Sequence, residues 1–143
     1  MAPRRSSHLD PSAAAPRQAA VPQALAAVAA GGLVGSAVRS GIGLWLPTPR
    51  GGFPTADLVV NLAGSFLLGL YLARRERSVG ARWALPFWAI GVLGSFTTFS
   101  AFSLDAVRLL VDGRPWIAAG YVAASIIGGL TAALTGQRAG ALR

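Results

Sequence analysis

Four apolar runs, each near the length of a bilayer crossing and joined by short connections, constrain this chain more than any other feature. The first extends from about Gln23 to Leu46 and is interrupted only by Arg39. The second extends from about Leu58 to Ala73 and carries Asn61 and Ser65. The third, from Trp83 to Leu104, and the fourth, from Trp116 to Leu134, hold no charge at all. A crossing helix needs ~20 predominantly apolar residues, within a range of ~17–25, so the second run is expected to begin earlier, near Thr55. In hydrocarbon every backbone polar group has to be satisfied within the chain, which restricts uncharged runs of this kind to helices. Connections over 47–54, 74–82 and 112–115 leave successive helices antiparallel and bundled.

Composition narrows the function classes. Of 143 residues, 53% are hydrophobic and 13% charged, against ~25% charged in soluble domains. The length fits one domain. The absence of cysteine excludes a disulfide framework, a thiolate nucleophile and a Cys-based metal site. The single histidine, His8, lies in the N-terminal segment, which argues against metal catalysis. The five acids are Asp10, Asp57, Glu76, Asp105 and Asp112, and none falls mid-run. Proton-coupled transporters usually place a carboxylate there.

The net charge of +8 comes from thirteen arginines and no lysine. On a soluble domain that would point to nucleic acid. Here the arginines lie between and outside the apolar runs, so they are a topology signal and no nucleic-acid partner is expected. Nine share one side: Arg4, Arg5, Arg17, Arg74, Arg75, Arg77, Arg82, Arg138 and Arg143. Arg50 and Arg114 take the other, with Arg39 and Arg108 nearer the spans. The positive-inside rule then places both termini in the cytoplasm. Trp45, Trp83, Trp88 and Trp116 fall near run ends, where aromatic belts form. Residues 1–20, rich in Pro, Ser, Ala and Arg, read as a disordered cytoplasmic tail. Residues 21–137 form the four-helix transmembrane domain and 138–143 a short C-terminal tail. Arg4-Arg5 ahead of an apolar run resembles a twin-arginine signal, but Asp10, Pro11 and Pro16 disrupt that pattern and no cleavage is expected.

Polar residues inside the runs carry the chemistry. Gly31, Gly35 and Arg39 share one helix face; the glycines read as a close-packing stripe, and the Arg39 guanidinium either snorkels to the nearby helix end or draws anions into a vestibule. Asp57, Asn61 and Ser65 repeat at the same spacing. The Asn61 amide is costly in lipid unless satisfied, whether by another helix or as a pore-lining donor of two protons. The third run contains Gly-Ser-Phe-Thr-Thr-Phe-Ser-Ala-Phe over 94–102. Gly91 and Gly94 weaken a helix there, and the Thr97 and Thr98 hydroxyls can satisfy freed backbone groups. The third helix is therefore expected to break near its middle, leaving carbonyls near Gly94 and Thr97 able to hold a small hard cation. Phe99 and Phe102 lie on one face amid Ser95, Thr97, Thr98, Ser100 and Ser103. Their ring edges carry partial positive charge and can accompany a dehydrated anion, whereas the plainer reading is core or lipid contact. Tyr121 and Ser125 share a face of the fourth run.

Together these motifs resemble the Fluc/CrcB family of fluoride channels. The resemblance rests on GGLVGSAVRS at 31–40, NLAGSFLLG at 61–69 and GSFTTFSAFSLD at 94–105, in the family's order and spacing. It implies an all-α membrane protein whose four-helix subunits assemble as an antiparallel dimer, with two fluoride pathways and a central structural sodium ion. It implies Asn61 as the pore amide, and Phe99 and Phe102 as the ring edges. Backbone carbonyls of Gly94 and Thr97 would hold sodium, and Arg39 would sit at a vestibule. Thr98, Ser100, Ser103, Tyr121 and Ser125 would line the polar track. Three positions depart from the family pattern: Ser95 for a second glycine, Ala101 for a threonine, and Asp105 for what is often a glutamate.

The resulting expectation is a non-enzymatic channel of the bacterial cytoplasmic membrane that passively exports fluoride and so lowers its toxicity. A dual-topology homodimer requires one chain to insert both ways, which nine arginines against about four disfavour. A heterodimer with an oppositely oriented homologue therefore stands beside the homodimer. The rival reading, a four-helix multidrug transporter of the small type, would require a carboxylate in the first span, where this chain has Arg39.

Overall fold

The computed structural model describes residues 20–49, 51–75 and 81–142. The expected N-terminal tail, apart from Ala20, lies outside the described residues, as do Arg50, Arg77 and Arg143.

Helix α1 covers Ala20–Trp45, and α2 covers Thr55–Arg75. Asp57 in the first turn of α2 and Arg74 and Arg75 in its last complement the helix dipole at both ends. The third span, Pro86–Val111, comprises α3 and α4. α3 is a π-helix over Pro86–Leu93 that tightens into an α-turn over Gly94–Phe96, and α4 covers Phe99–Val111. Pro86 at the start of α3 has no N–H to place in the ladder, and the wider winding persists until the Gly94 N–H bonds back to the Ala89 carbonyl. Gly113, at φ 71°, supplies the left-handed turn into α5, Pro115–Ala141, whose first residue is the proline that a helix start accommodates. All four spans are long and apolar enough to cross a membrane.

Two boundaries differ from the sequence reading. The third span continues to Val111, so Asp105 and Arg108 fall on its outer turns, where they face each other at 3.8 Å. The pair lets two charges sit near the helix end, where Arg108 snorkels outward. The last helix continues past residue 137 to Ala141, with Arg138 in its final turn near the orphan carbonyls.

Packing is organised as two close pairs. α1 lies along α3 and α2 along α5, with thinner contacts between the pairs. Glycines make both approaches possible. A Cβ on Gly91 would stand 2.7 Å from the Val28 carbonyl, and one on Gly31 or Gly35 would overlap the backbone of α3. In the other pair a Cβ on Gly140 would reach within 2.8 Å of the Leu70 carbonyl, and Gly69 and Gly136 are closed off likewise by Ala133 and Phe66. Association in lipid relies on such close backbone contact rather than on a hydrophobic drive. The Gly31–Gly35 stripe is thus a packing face. Outward residues such as Leu33 (75% exposed) and Trp116 (87%) face the surroundings, as lipid-facing residues must.

Candidate functional site

The third span breaks at Thr97 and Thr98. Both are extended, at φ −79°, ψ 155° and φ −149°, ψ 119°, whereas Gly94 remains helical at φ −65°, ψ −30°. The glycine weakens the segment, but the interruption falls three residues later, where α2 supplies a substitute for the ladder. The Thr98 N–H donates to Asn61 Oδ1 at 2.9 Å, and Asn61 Nδ2 donates to the Thr98 carbonyl at 3.2 Å. In an extended residue these two groups point the same way, so one side-chain amide pairs both, much as a neighbouring strand would. Asn61 therefore makes the interhelical hydrogen bonds expected on one of its two readings. One Nδ2 proton remains for the other reading.

The break interrupts the ladder for the carbonyls of residues 94–97, and for two of them the lost donor is seen bonding elsewhere. In an unbroken helix the Gly94 carbonyl would accept from the Thr98 N–H, which Asn61 takes. The Thr97 carbonyl would accept from the Ala101 N–H, which donates instead to Thr98 Oγ1 at 3.1 Å as an N-cap bond of α4. The Thr97 hydroxyl and N–H both turn back to the Leu93 carbonyl, at 2.9 and 3.1 Å. Gly94 and Thr97, whose carbonyls the sequence offers to a cation, are thus two of the four residues that lose a helical donor at the break. Their carbonyls are neutral oxygen ligands, suited to a hard cation. Among the described residues no cluster of three or more acids or histidines offers an alternative metal site.

Beside the break an open groove of about 380 Å³ gathers Asn61, Thr97, Thr98, Phe99, Phe102 and Ser125, with Gly94 on its wall. The Phe99 and Phe102 ring centroids lie 5.6 Å apart. Phe99 is 80% exposed, so in this subunit its ring looks out of the groove rather than into a core. Ser125 Oγ and the Tyr121 hydroxyl one turn earlier are buried and lie close to each other, though short of hydrogen-bond geometry. By contrast, Thr131 and Thr135 on the same helix bond back to the carbonyls of Ile127 and Thr131, at 2.7 and 2.9 Å. The unspent hydroxyls of α5 are therefore those beside the groove.

Other expected site residues lie apart from the groove lining. Tyr121 is fully buried against Leu109 and Ala118 and backs the groove through Phe102, with ring centroids 5.5 Å apart. Ser103 gives its hydroxyl to the Phe99 carbonyl at 2.9 Å, and Ser100 pairs with the Thr98 hydroxyl at 3.1 Å. Arg39 lies half-buried on α1, one turn beyond Gly35. Phe53 was not foreseen. From the loop before α2 it meets Tyr121 edge-on at 5.6 Å, completing a row of rings, Phe99–Phe102–Tyr121–Phe53, from the break to the outer end. An aromatic in a loop beside Pro54 carries no periodic signal that could have marked it. Near that end Asp105 Oδ2 is buried and unpartnered, with the Asp57 carboxyl close by.

The family model described as CrcB-like protein, Camphor Resistance (CrcB), matches residues 26–137. The chain belongs to the CrcB family. A CrcB relative from Deinococcus radiodurans, named fluoride-specific ion channel FluC, is 45% identical over 116 residues, covering 80% of this chain and 92% of that protein. A protein of the same name from Thermus thermophilus is 43% identical over 114 residues, covering 79% and 90%. The fluoride-specific ion channel FluC 3 of Streptomyces avermitilis is 48% identical over 109 residues, and this chain spans 53% of its length. Four spans and bacterial relatives make this CrcB-family chain a multi-pass bacterial membrane protein.

Proposed function

We propose that the chain is one subunit of a fluoride-specific channel that lets the anion leave the cytoplasm passively. The observation carrying this reading is the mid-span groove that holds a spare amide proton of Asn61, the unspent Ser125 hydroxyl and the rings of Phe99 and Phe102. Fluoride binds its water tightly, so a pathway must replace that hydration with donors strong enough for entry yet distributed enough for release. An amide N–H, a hydroxyl and the positive edges of two rings are such a set, and none carries a full charge that would trap the ion. On this reading the ion is bound and released without covalent chemistry.

The pathway is completed by a second chain. A groove lined by hydroxyls and an amide cannot face lipid at mid-depth, because its polar groups would go unsatisfied there. An antiparallel partner covers it and brings a second pair of Gly94 and Thr97 carbonyls to the axis. Four neutral oxygens then suit a structural sodium ion, which would fix the two breaks relative to each other. The partner is a second copy or an oppositely inserted homologue, and the arginine bias toward the cytoplasmic side supports the homologue.

Liposomes loaded with fluoride or chloride and containing the purified chain test the reading directly. Rapid fluoride efflux with chloride retained is the expected result. Equal rates for both ions, or no flux from the chain either alone or with its homologue, would overturn it. Sided labelling of the purified protein in vesicles separates the partners: labels reaching the same loop from both faces refute the heterodimer.

A further inference from the structure

A second groove opens between α2 and α3 at the arginine-rich end of the subunit, the end that the positive-inside rule assigns to the cytoplasm. Its volume is about 470 Å³, its walls include Leu67, Leu70, Trp88 and Val92, and its mouth carries Tyr71, Arg74 and Arg75. We propose that this groove binds an anionic phospholipid, its phosphate held by Arg74 and Arg75 and one acyl chain lying along the apolar walls. The inference needs only that α2 ends at the cytoplasmic face and does not rest on the fluoride reading.

The argument starts from the mixture of chemistries. Both arginines belong to the last turn of α2. Arg75 Nη1 donates to the Tyr71 hydroxyl at 3.5 Å, which holds that guanidinium over the mouth. A guanidinium has five N–H donors, so this contact leaves most of them for a phosphate. Below the mouth the walls are almost wholly apolar, and a soluble anion would gain nothing from them. Trp88 is 47% exposed and lies edge-on to Phe87 with centroids 5.0 Å apart, so the Phe87 ring limits where the indole can turn. Basic pockets between spanning helices on the cytoplasmic side are where lipid headgroups bind, and each arginine near the surface contributes ~1 kcal/mol toward anionic lipid. Two such groups correspond to a preference of roughly tenfold or more over a zwitterionic lipid.

Trp88 is a built-in reporter. With Trp45, Trp83 and Trp116 replaced by phenylalanine, the full chain is reconstituted in phosphatidylcholine vesicles. Equal minor fractions of phosphatidylglycerol or phosphatidylcholine with brominated acyl chains are then compared. Brominated phosphatidylglycerol is expected to quench Trp88 at roughly tenfold lower content. In R74Q/R75Q that excess should vanish while quenching by brominated phosphatidylcholine persists. Equal quenching by the two lipids overturns the proposal, as does an excess that survives R74Q/R75Q. A Trp88 shielded from both lipids means protein covers the groove and also overturns it. Displacement by inorganic phosphate would assign the site to a soluble anion instead. If the triple phenylalanine variant fails to fold, native mass spectrometry of the chain with all four tryptophans reads the same preference. Retained phosphatidylglycerol adducts that R74Q/R75Q loses support it, and equal retention of both lipids refutes it.

Discussion

Replacing Asn61 by alanine removes both hydrogen bonds that hold the third span open, from Asn61 to the Thr98 N–H and to the Thr98 carbonyl. Interhelical side-chain hydrogen bonds in membranes are worth ~0.6 kcal/mol on average and ~1.7 at most. Leaving a buried backbone group unpaired costs ~1–3 kcal/mol in a dry interior. The groove beside Thr98 is open enough for water to take over part of that role. The sum for Asn61→Ala is therefore about 1–3 kcal/mol, a drop of roughly 5–10 °C in melting temperature. The spare Nδ2 proton goes with the amide, and a hydrogen bond to a charged group is worth ~1.5–3 kcal/mol, so fluoride flux should fall tenfold or more. Asn61→Asp sharpens the comparison. Its carboxylate still accepts from the Thr98 N–H, but it opposes the Thr98 carbonyl and repels an anion, so flux should vanish. Melting followed by size-exclusion chromatography and fluoride efflux from liposomes read the two effects separately. If Asn61→Ala melts as the unmodified protein does, the clamp is wrong. If it melts early but conducts normally, Asn61 is a structural clamp alone and the pathway role fails.

Phe102→Ile keeps apolar volume near Tyr121 but removes the ring edge, so fluoride efflux should drop at least tenfold while melting moves by no more than about 1.5 kcal/mol; unchanged efflux refutes the ring-edge role. Ser125→Ala deletes a buried hydroxyl whose contact with the Tyr121 hydroxyl falls short of hydrogen-bond geometry, so thermal melting should change little while efflux falls. A clear loss of stability would mean the hydroxyl serves packing instead. Gly136→Ala drives a methyl into the Phe66 carbonyl at the α2–α5 crossing and should cost about 1–3 kcal/mol in chromatographic melting. Gly43→Ala meets no atom within 4 Å on α1 and should gain up to ~1 kcal/mol. Equal effects at the two glycines would undo the close-packing account.

The positions of the four spans were legible because hydrophobic length is a local property. So was the interruption of the third, since hydroxyls and glycines gathered in an apolar run have few uses in lipid. Its location was less so. Gly91 and Gly94 are the weaker helix formers, yet both stay helical, and the chain opens at two threonines. The sequence does not decide between the two roles of Asn61, because an amide at mid-depth announces only that it needs partners.

What the sequence alone determined, then, is the all-helical membrane class, the cytoplasmic bias of the arginines and the residue types available to an anion. The tertiary structure decided which of those residues meet. The backbone can leave the helix only where another acceptor replaces the lost one. That acceptor stands on α2, 37 residues from Thr98, where only the packing of the two helices brings it within 2.9 Å. The same packing placed Ser125 in the groove, put Tyr121 behind it, and drew a loop phenylalanine into the row of rings. Spacing along a helix fixes a face, but which neighbour that face meets depends on how closely two backbones can approach; Gly64, where a Cβ would overlap the Thr97 side chain, admits the third span to α2, and glycine contacts bring α2 to α5.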